Sequence, residues 1–312
     1  MGVFGLSFKV VFPLLALMVL GYFLKTRGLL DKSTIKSMNG LIFRVFLPVN
    51  LFMNIYSSDI NKTFDLFLIL YACVSLVVIF IILCLIVPAF IKDRSDKSTV
   101  IQGISRSNII LYGIFIVEAI SDSDGLGLLG VMVAFVIPLL NILAVLIFEM
   151  NRGQKINAGK VLKGIASNPL IIASVLAVLM LSLKINIPAL ITGTLDNLSR
   201  IAAPLSMVLL GGTFVFSSVK KHIVWLAVSS IVKLVIFPAI FLSIAILIGI
   251  RGVELVVLMV VFGSPTAISS FSMAEEMGGN SALAGEIIMA TSVVSIVTIF
   301  FWVYLFNVLN LI

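Results

Sequence analysis

Residues 253–270 read VELVVLMVVFGSPTAISS. Apart from Glu254 the stretch is apolar up to Phe262 and then meets Gly263, Ser264 and Pro265, followed by Thr266, Ala267, Ile268, Ser269 and Ser270. The apolar part predicts a membrane helix, and Gly-Ser-Pro in its course predicts that the helix stops and restarts. Serine is a favoured N-cap, and proline is favoured at the first helical position, where the N–H it lacks would have been unsatisfied anyway. A break at mid-membrane frees backbone groups that lipid cannot satisfy, so it must be buried in protein or line a wet cavity. The restarted half-helix also aims its positive dipole end and its free N–H groups at that place.

A second stretch behaves alike. After Lys97–Gly103 come Ile104, Ser105, Arg106, Ser107 and Asn108, and then Ile109, Ile110, Leu111, Tyr112 and Gly113. At an offset of 156 residues, half of the 312-residue chain, Ser107-Asn108 falls on Gly263-Ser264. The same offset carries Pro13 onto Pro169, Pro48 onto Pro204, Leu14 onto Leu170 and Val19-Leu20 onto Val175-Leu176. The chain therefore reads as two repeats, residues 1–149 and 164–312, joined by a linker at 150–163. Each repeat holds five spans. An odd number makes the second repeat enter the membrane from the opposite side, and inverted repeats with broken helices at matching places are a transporter architecture. The competing reading of each break is a kink, in which serine or threonine bonds back to its own helix.

The composition agrees with a helical membrane protein: 61% of residues are hydrophobic and 11% charged, against about 25% charged in a soluble chain. Ten spans are predicted, at 5–24, 39–57, 64–91, 97–120, 126–149, 164–183, 189–217, 222–248, 253–274 and 282–308. The first lacks a basic start and a cleavage site and reads as a retained span. Lys25, Arg27, Lys32 and Lys36 follow span one; Lys92, Arg94 and Lys97 follow span three; Arg152, Lys155, Lys160 and Lys163 follow span five; Lys220 and Lys221 follow span seven. The alternate loops are poorer in basic residues, so the first set is cytoplasmic and both termini are extracytoplasmic. The net charge of +7 thus orients helices and is no nucleic-acid signature. Cys73 and Cys84 share one run and cannot pair with each other or form a metal site. His222 reads as a loop residue. No span has a central Asp, and no mid-span His/Cys/Asp cluster or phosphate-binding loop occurs, so no metal, no cofactor and no ATP chemistry is expected.

The candidate substrate-binding residues are Asn50, Arg106, Ser107, Asn108, Tyr112, Asn141, Ser264, Pro265, Thr266 and Ser269. Asn50 and Asn141 are mid-span amides, which are costly against lipid and so turn inward. Arg106 lies roughly 14 Å deep at 1.5 Å per residue. It reads equally as an anion ligand and as a side chain that snorkels to the cytoplasmic face or pairs with a carboxylate such as Glu275. Tyr112 reads equally as packing. Glu118, Glu275, Glu276 and Glu286 read as solvated span ends.

At these residues the chain resembles the auxin efflux carrier family, whose bacterial members include malonate and malate permeases. The matching pieces are Gly21-Tyr22 with Arg27-Gly28-Leu29-Leu30, Phe46-Leu47-Pro48, and Arg106-Ser107-Asn108 with Gly113. Asn168-Pro169, Ala203-Pro204-Leu205 with Leu210-Gly211, and Pro265-Thr266-Ala267 complete the set, which spans nearly the whole chain. The resemblance implies ten spans in two inverted five-helix repeats, with helices four and nine crossing at their breaks, and a scaffold and a panel that move relative to each other. One departure stands out. Many members carry proline seven residues after the span-four asparagine, and here that residue is Phe115, which predicts a softer break. The short 150–163 loop fits the bacterial type.

The leading functional expectation is a secondary transporter in the cell membrane, moving a small organic anion. An intramembrane lipid or prenyl transferase, the enzyme alternative, would need acidic clusters for a metal-bound diphosphate, and none is found. A receptor that keeps the fold without transport is the third class. The expected partners are the organic anion and the lipid bilayer, with no nucleic acid; the sequence is compatible with a homodimer.

Overall fold

The computed structural model describes residues 3–57, 65–120, 123–152, 158–213 and 216–312. It is 86% helix, with no strand among the described residues. The order is α1 (Val3–Thr26), then α2 (Lys32–Leu41), which passes through a π-helical turn (Ile42–Phe46) into α3 (Leu47–Tyr56). Next come α4 (Leu66–Phe90), α5 (Arg94–Ser105), α6 (Ile109–Ile120), α7 (Ser123–Arg152), α8 (Ala158–Ala166), α9 (Pro169–Ser182), α10 (Ala189–Ser199) and α11 (Ala202–Thr213). Then α12 (Phe216–Ile231) passes through a second π turn (Val232–Ile236) into α13 (Phe237–Leu247), followed by α14 (Gly252–Gly263), α15 (Ser269–Met277) and α16 (Ser281–Val308).

Among the described residues five runs are long and apolar enough to cross a bilayer: Lys32–Tyr56, Leu66–Phe90, Gly125–Asn151, His222–Leu247 and Ser281–Val308. Phe12–Thr26, Pro169–Ser182 and Gly252–Gly263 are shorter apolar helices. Helix α4 leaves Leu66, Phe67, Leu70, Val74, Ile81, Leu85 and Phe90 exposed, a face suited to lipid. In contrast α14 buries every residue from Leu255 to Gly263, which explains its uniformly apolar sequence: it has no outward face.

Prolines set the irregularities. Pro48 and Pro238 lack the N–H a helix needs, and their rings exclude the carbonyl four residues earlier. Each is preceded by a π turn, in which Leu47 N–H reaches Ile42 O and Phe237 N–H reaches Val232 O. The excluded Leu234 carbonyl accepts from the Trp302 indole at 3.0 Å. Expected spans 189–217 and 164–183 are each divided. Pro204 excludes the Arg200 carbonyl and separates α10 from α11. Asn168 caps Leu170 N–H at 2.9 Å ahead of Pro169 and separates α8 from α9. Helix α2 starts at Lys32, earlier than expected, because Asp31 caps it through Thr34 N–H at 2.7 Å. The middle of the 150–163 linker, residues 153–157, lies outside the described residues, as does the Glu118 side chain.

Two glycines allow α1 and α11 to touch backbone to backbone. A Cβ on Gly21 would stand 1.9 Å from Val208 O, and one on Gly211 would stand 1.9 Å from Met18 O. Helix α3 packs against α9, while α7 and α14 occupy the interior of the remaining bundle. Two expectations about charge are corrected here. His222 is buried, and its Nδ1 lies 2.7 Å from Glu286 Oε2, also buried. Packing of α12 on α16 turns both side chains inward, where each satisfies the other.

Candidate functional site

The break between α5 and α6 and the break between α14 and α15 cross each other. Ser107 and Thr266 pair as an antiparallel bridge. Asn108 N–H donates to Pro265 O at 2.8 Å, and Ala267 N–H donates to Arg106 O at 3.2 Å. Thr266 Oγ1 donates to Gly103 O at 2.6 Å, and Thr266 N–H donates to Thr291 Oγ1 at 3.1 Å. Each break thus satisfies backbone groups the other has freed, which is the condition for irregular backbone inside an apolar core.

The expected local geometry of the second break is corrected. Ser264 does not cap a new helix: it closes α14, its N–H bonding Val260 O at 3.2 Å. Pro265, Thr266 and Ala267 precede α15, which begins at Ser269 with Ile268 as its cap. Pairing with the opposing break claims Pro265 O and the Ala267 N–H, so helix cannot restart until both are spent. Proline suits the position because extended backbone here requires nothing of its nitrogen.

Beside the crossing lies a cavity of about 310 Å³, bounded by α3, α6, α7, α11 and the two breaks. Its polar wall is Asn50, Asn54, Arg106, Ser107, Asn108, Ser206 and Ser269; Leu47, Leu51, Ile114, Phe115, Ile137 and Leu140 are among its apolar lining. Helix α6 begins at this cavity, and the N–H groups of Ile109, Ile110 and Leu111 have no partner among the described residues. Helix α15 begins there too, with the N–H groups of Ile268 and Ser269 free in the same sense. Two positive dipole ends therefore converge on one space.

Arg106 is 4% exposed and faces this cavity. Its Nη2 donates to Asn141 Oδ1 at 2.6 Å and its Nη1 to Met273 Sδ at 2.7 Å. It neither snorkels nor pairs with Glu275, and among the described residues no carboxylate pairs with it. The Asn108 carboxamide also lines the cavity and makes no hydrogen bond among the described residues.

Of the ten residues expected at a site, Asn50, Arg106, Ser107, Asn108 and Ser269 line the cavity. Asn141 stands behind Arg106, held by Ser174 at 3.3 Å. Ser264, Pro265 and Thr266 belong to the crossing itself. Tyr112 is buried towards Ser292 and Ser295 of α16, away from the cavity. Asn50 donates to Ser199 O at 3.1 Å and accepts from Asn54 at 3.1 Å. Asn54 was legible as the residue one helical turn after Asn50. The larger omission is Lys233, 2% exposed, whose Nζ donates to Ile104 O at 3.0 Å and Ser107 Oγ at 3.1 Å. Its signal was plain, a lysine in the middle of an apolar span.

Residues 6–303 match the family described as membrane transport protein. An uncharacterized transporter of Methanocaldococcus jannaschii is 25% identical over 312 residues, covering 94% of this chain and 96% of the relative. An uncharacterized transporter of Methanothermobacter thermautotrophicus is 25% identical over 311 residues, covering 95% and 97%.

Proposed function

Because the chain belongs to the membrane transport protein family, we propose that this multi-pass membrane protein is a secondary transporter of a small organic anion, a mono- or dicarboxylate, working by alternating access. The observation that carries the anion reading is Arg106, a buried guanidinium that faces the cavity with no carboxylate partner among the described residues. A buried charge is tolerated when paired, and a substrate carboxylate would supply the pair through a bidentate contact. The free N–H groups opening α6 and α15 and the Asn108 carboxamide add donors around the same point. No Asp or Glu lines the cavity, so its field favours anions throughout. A volume of about 310 Å³ lies at the small end of ligand pockets.

Ten spans form two inverted repeats, 1–149 and 164–312, about the 150–163 linker. Packing of α1 on α11 and of α3 on α9 supports it, since exchanging the repeats turns span one against seven into span six against two. Helices α1–α3 and α8–α11 form the panel, and α4–α7 with α12–α16 form the body that carries the crossing. Loop charge supports an orientation with both termini outside the cell membrane.

The test is uptake into proteoliposomes with a panel of radiolabelled organic acids, malonate and malate first, in competition and counterflow. The expected result is saturable uptake accelerated by unlabelled acid inside. Absence of flux for every acid, with binding retained, would leave a receptor on this fold; transport of organic cations in their place would refute the anion reading.

A further inference from the structure

Lys233 is a buried charge that lies outside the cavity. It sits in the π turn between α12 and α13. One of its two acceptors is Ile104 O, a carbonyl orphaned by the first break. In an unbroken helix that oxygen would accept from Asn108 N–H, which here goes to Pro265 O. The ammonium therefore rests on the negative dipole end of α5, equivalent to roughly half an elementary charge. Its other acceptor is the Ser107 hydroxyl, which also lines the anion cavity. No carboxylate pairs with Lys233 among the described residues. Ser229 and Ser230, one turn earlier and on the same helix face, are buried with hydroxyls that have no partner among the described residues.

A carbonyl at the C-terminal end of a half-helix, joined by hydroxyls, is the kind of ligand set with which broken-helix carriers hold a coupling cation. We propose that Lys233 is a tethered cation: its ammonium occupies the cation position of the crossing, and the carrier therefore needs no sodium. The π turn imposed by Pro238 places the lysine in the bundle. Lys233 acts as a positioning residue, because it reaches the anion only through Ser107 and the break it holds in place. The flux consequence rests on the transporter reading, whereas the occupied cation position does not.

Two measurements separate these. Wild-type uptake is expected to be equal in sodium and choline media, and Lys233→Ala is expected to lower it about ten- to a hundredfold through loss of a charged hydrogen bond. The second measurement needs no substrate. Purified Lys233→Ala is expected to unfold at a lower temperature than wild type, and propylammonium, which can refill the vacated position with N–H donors, is expected to raise that midpoint. Tetramethylammonium at equal concentration has no N–H and is expected to leave it unchanged; wild type should respond to neither. Sodium-dependent wild-type uptake overturns the proposal. So does a Lys233→Ala midpoint that moves equally with both ions or with neither. If the alanine variant yields no folded protein, Lys233→Met, of similar length and uncharged, decides: wild-type stability and flux in that variant overturn the proposal. A protein that moves no anion in any medium, yet shows the selective propylammonium shift, retains the tethered cation and loses only the anion reading.

Discussion

Arg106→Gln separates an anion ligand from a scaffold residue, because the two roles predict effects of opposite sign on stability. In the empty protein the guanidinium has an amide oxygen and a thioether as its partners, and it shares its cavity with two positive helix ends. Holding an ion in such surroundings costs several kcal/mol after relaxation. Glutamine is polar and carries no charge, which removes that cost, so the empty variant should be as stable as wild type or more so, by about 1–2 kcal/mol on the same reasoning. Binding should move the other way. Two charge-assisted hydrogen bonds to a carboxylate contribute roughly 1.5–3 kcal/mol each, so affinity should fall by at least about a hundredfold. Thermal unfolding in detergent reads both quantities at once. An acid at a hundred times its dissociation constant stabilises the protein by about 2.7 kcal/mol, and that increment should fall to about 0.4 kcal/mol or less in the variant. Arg106→Lys keeps the charge but loses the fork, and should retain part of the increment. An empty Arg106→Gln protein that melts well below wild type, yet is stabilised normally by the acid, would refute the assignment.

Three further outcomes are expected. Asn108→Ala should weaken acid binding about tenfold, one hydrogen bond's worth, with folded yield unchanged in size-exclusion chromatography; unchanged affinity would remove Asn108 from the site. Gly211→Ala should destabilise the protein by at least about 1–3 kcal/mol, measured by thermal unfolding, because its Cβ has a carbonyl oxygen 1.9 Å away; Gly193→Ala, where a Cβ meets nothing within 4 Å, is the control. In a Cys73→Ser, Cys84→Ser background, a cysteine at exposed Leu190 should react with an impermeant maleimide added to intact cells, and one at exposed Lys32 should not; the reverse pattern would invert the topology.

The apolar helices and both breaks were legible because each leaves a local mark in the sequence. Uninterrupted apolar runs fix the long helices, and Gly263-Ser264-Pro265 or Arg106-Ser107-Asn108 stands out within one. The site was legible only in part, for a physical reason. Polarity in a span shows that a side chain avoids lipid, not which way it turns inside the bundle. Asn108 and Asn141 look alike in sequence, yet one lines the cavity and the other braces Arg106 from behind. His222 and Glu286 each look like a span end, and only the packing of α12 on α16 makes them a buried pair. Lys233 differs: nothing concealed it, since a lysine eleven residues into an apolar run has no reading as a span end.

The missing proline at Phe115 had suggested a softer first break, yet α5 ends cleanly at Ser105. The donors that hold it open come from the other half of the chain. Gly103 O accepts from Thr266 Oγ1, Ile104 O from Lys233 Nζ, and Arg106 O from Ala267 N–H. In a continuous helix these carbonyls would bond the N–H groups of Ser107, Asn108 and Ile110. The second break is thus enforced by its own proline, whereas the first is imposed in trans by three donors, two of them on the segment it crosses. Any motion that separates the two breaks would free those carbonyls and let α5 and α6 anneal into one helix, removing the N–H groups that face the cavity. On the proposed alternating-access reading, the crossing must therefore travel as one unit for the anion site to survive the transport cycle, and the sliding surface would lie between α1–α3 with α8–α11 and the bundle that carries the crossing.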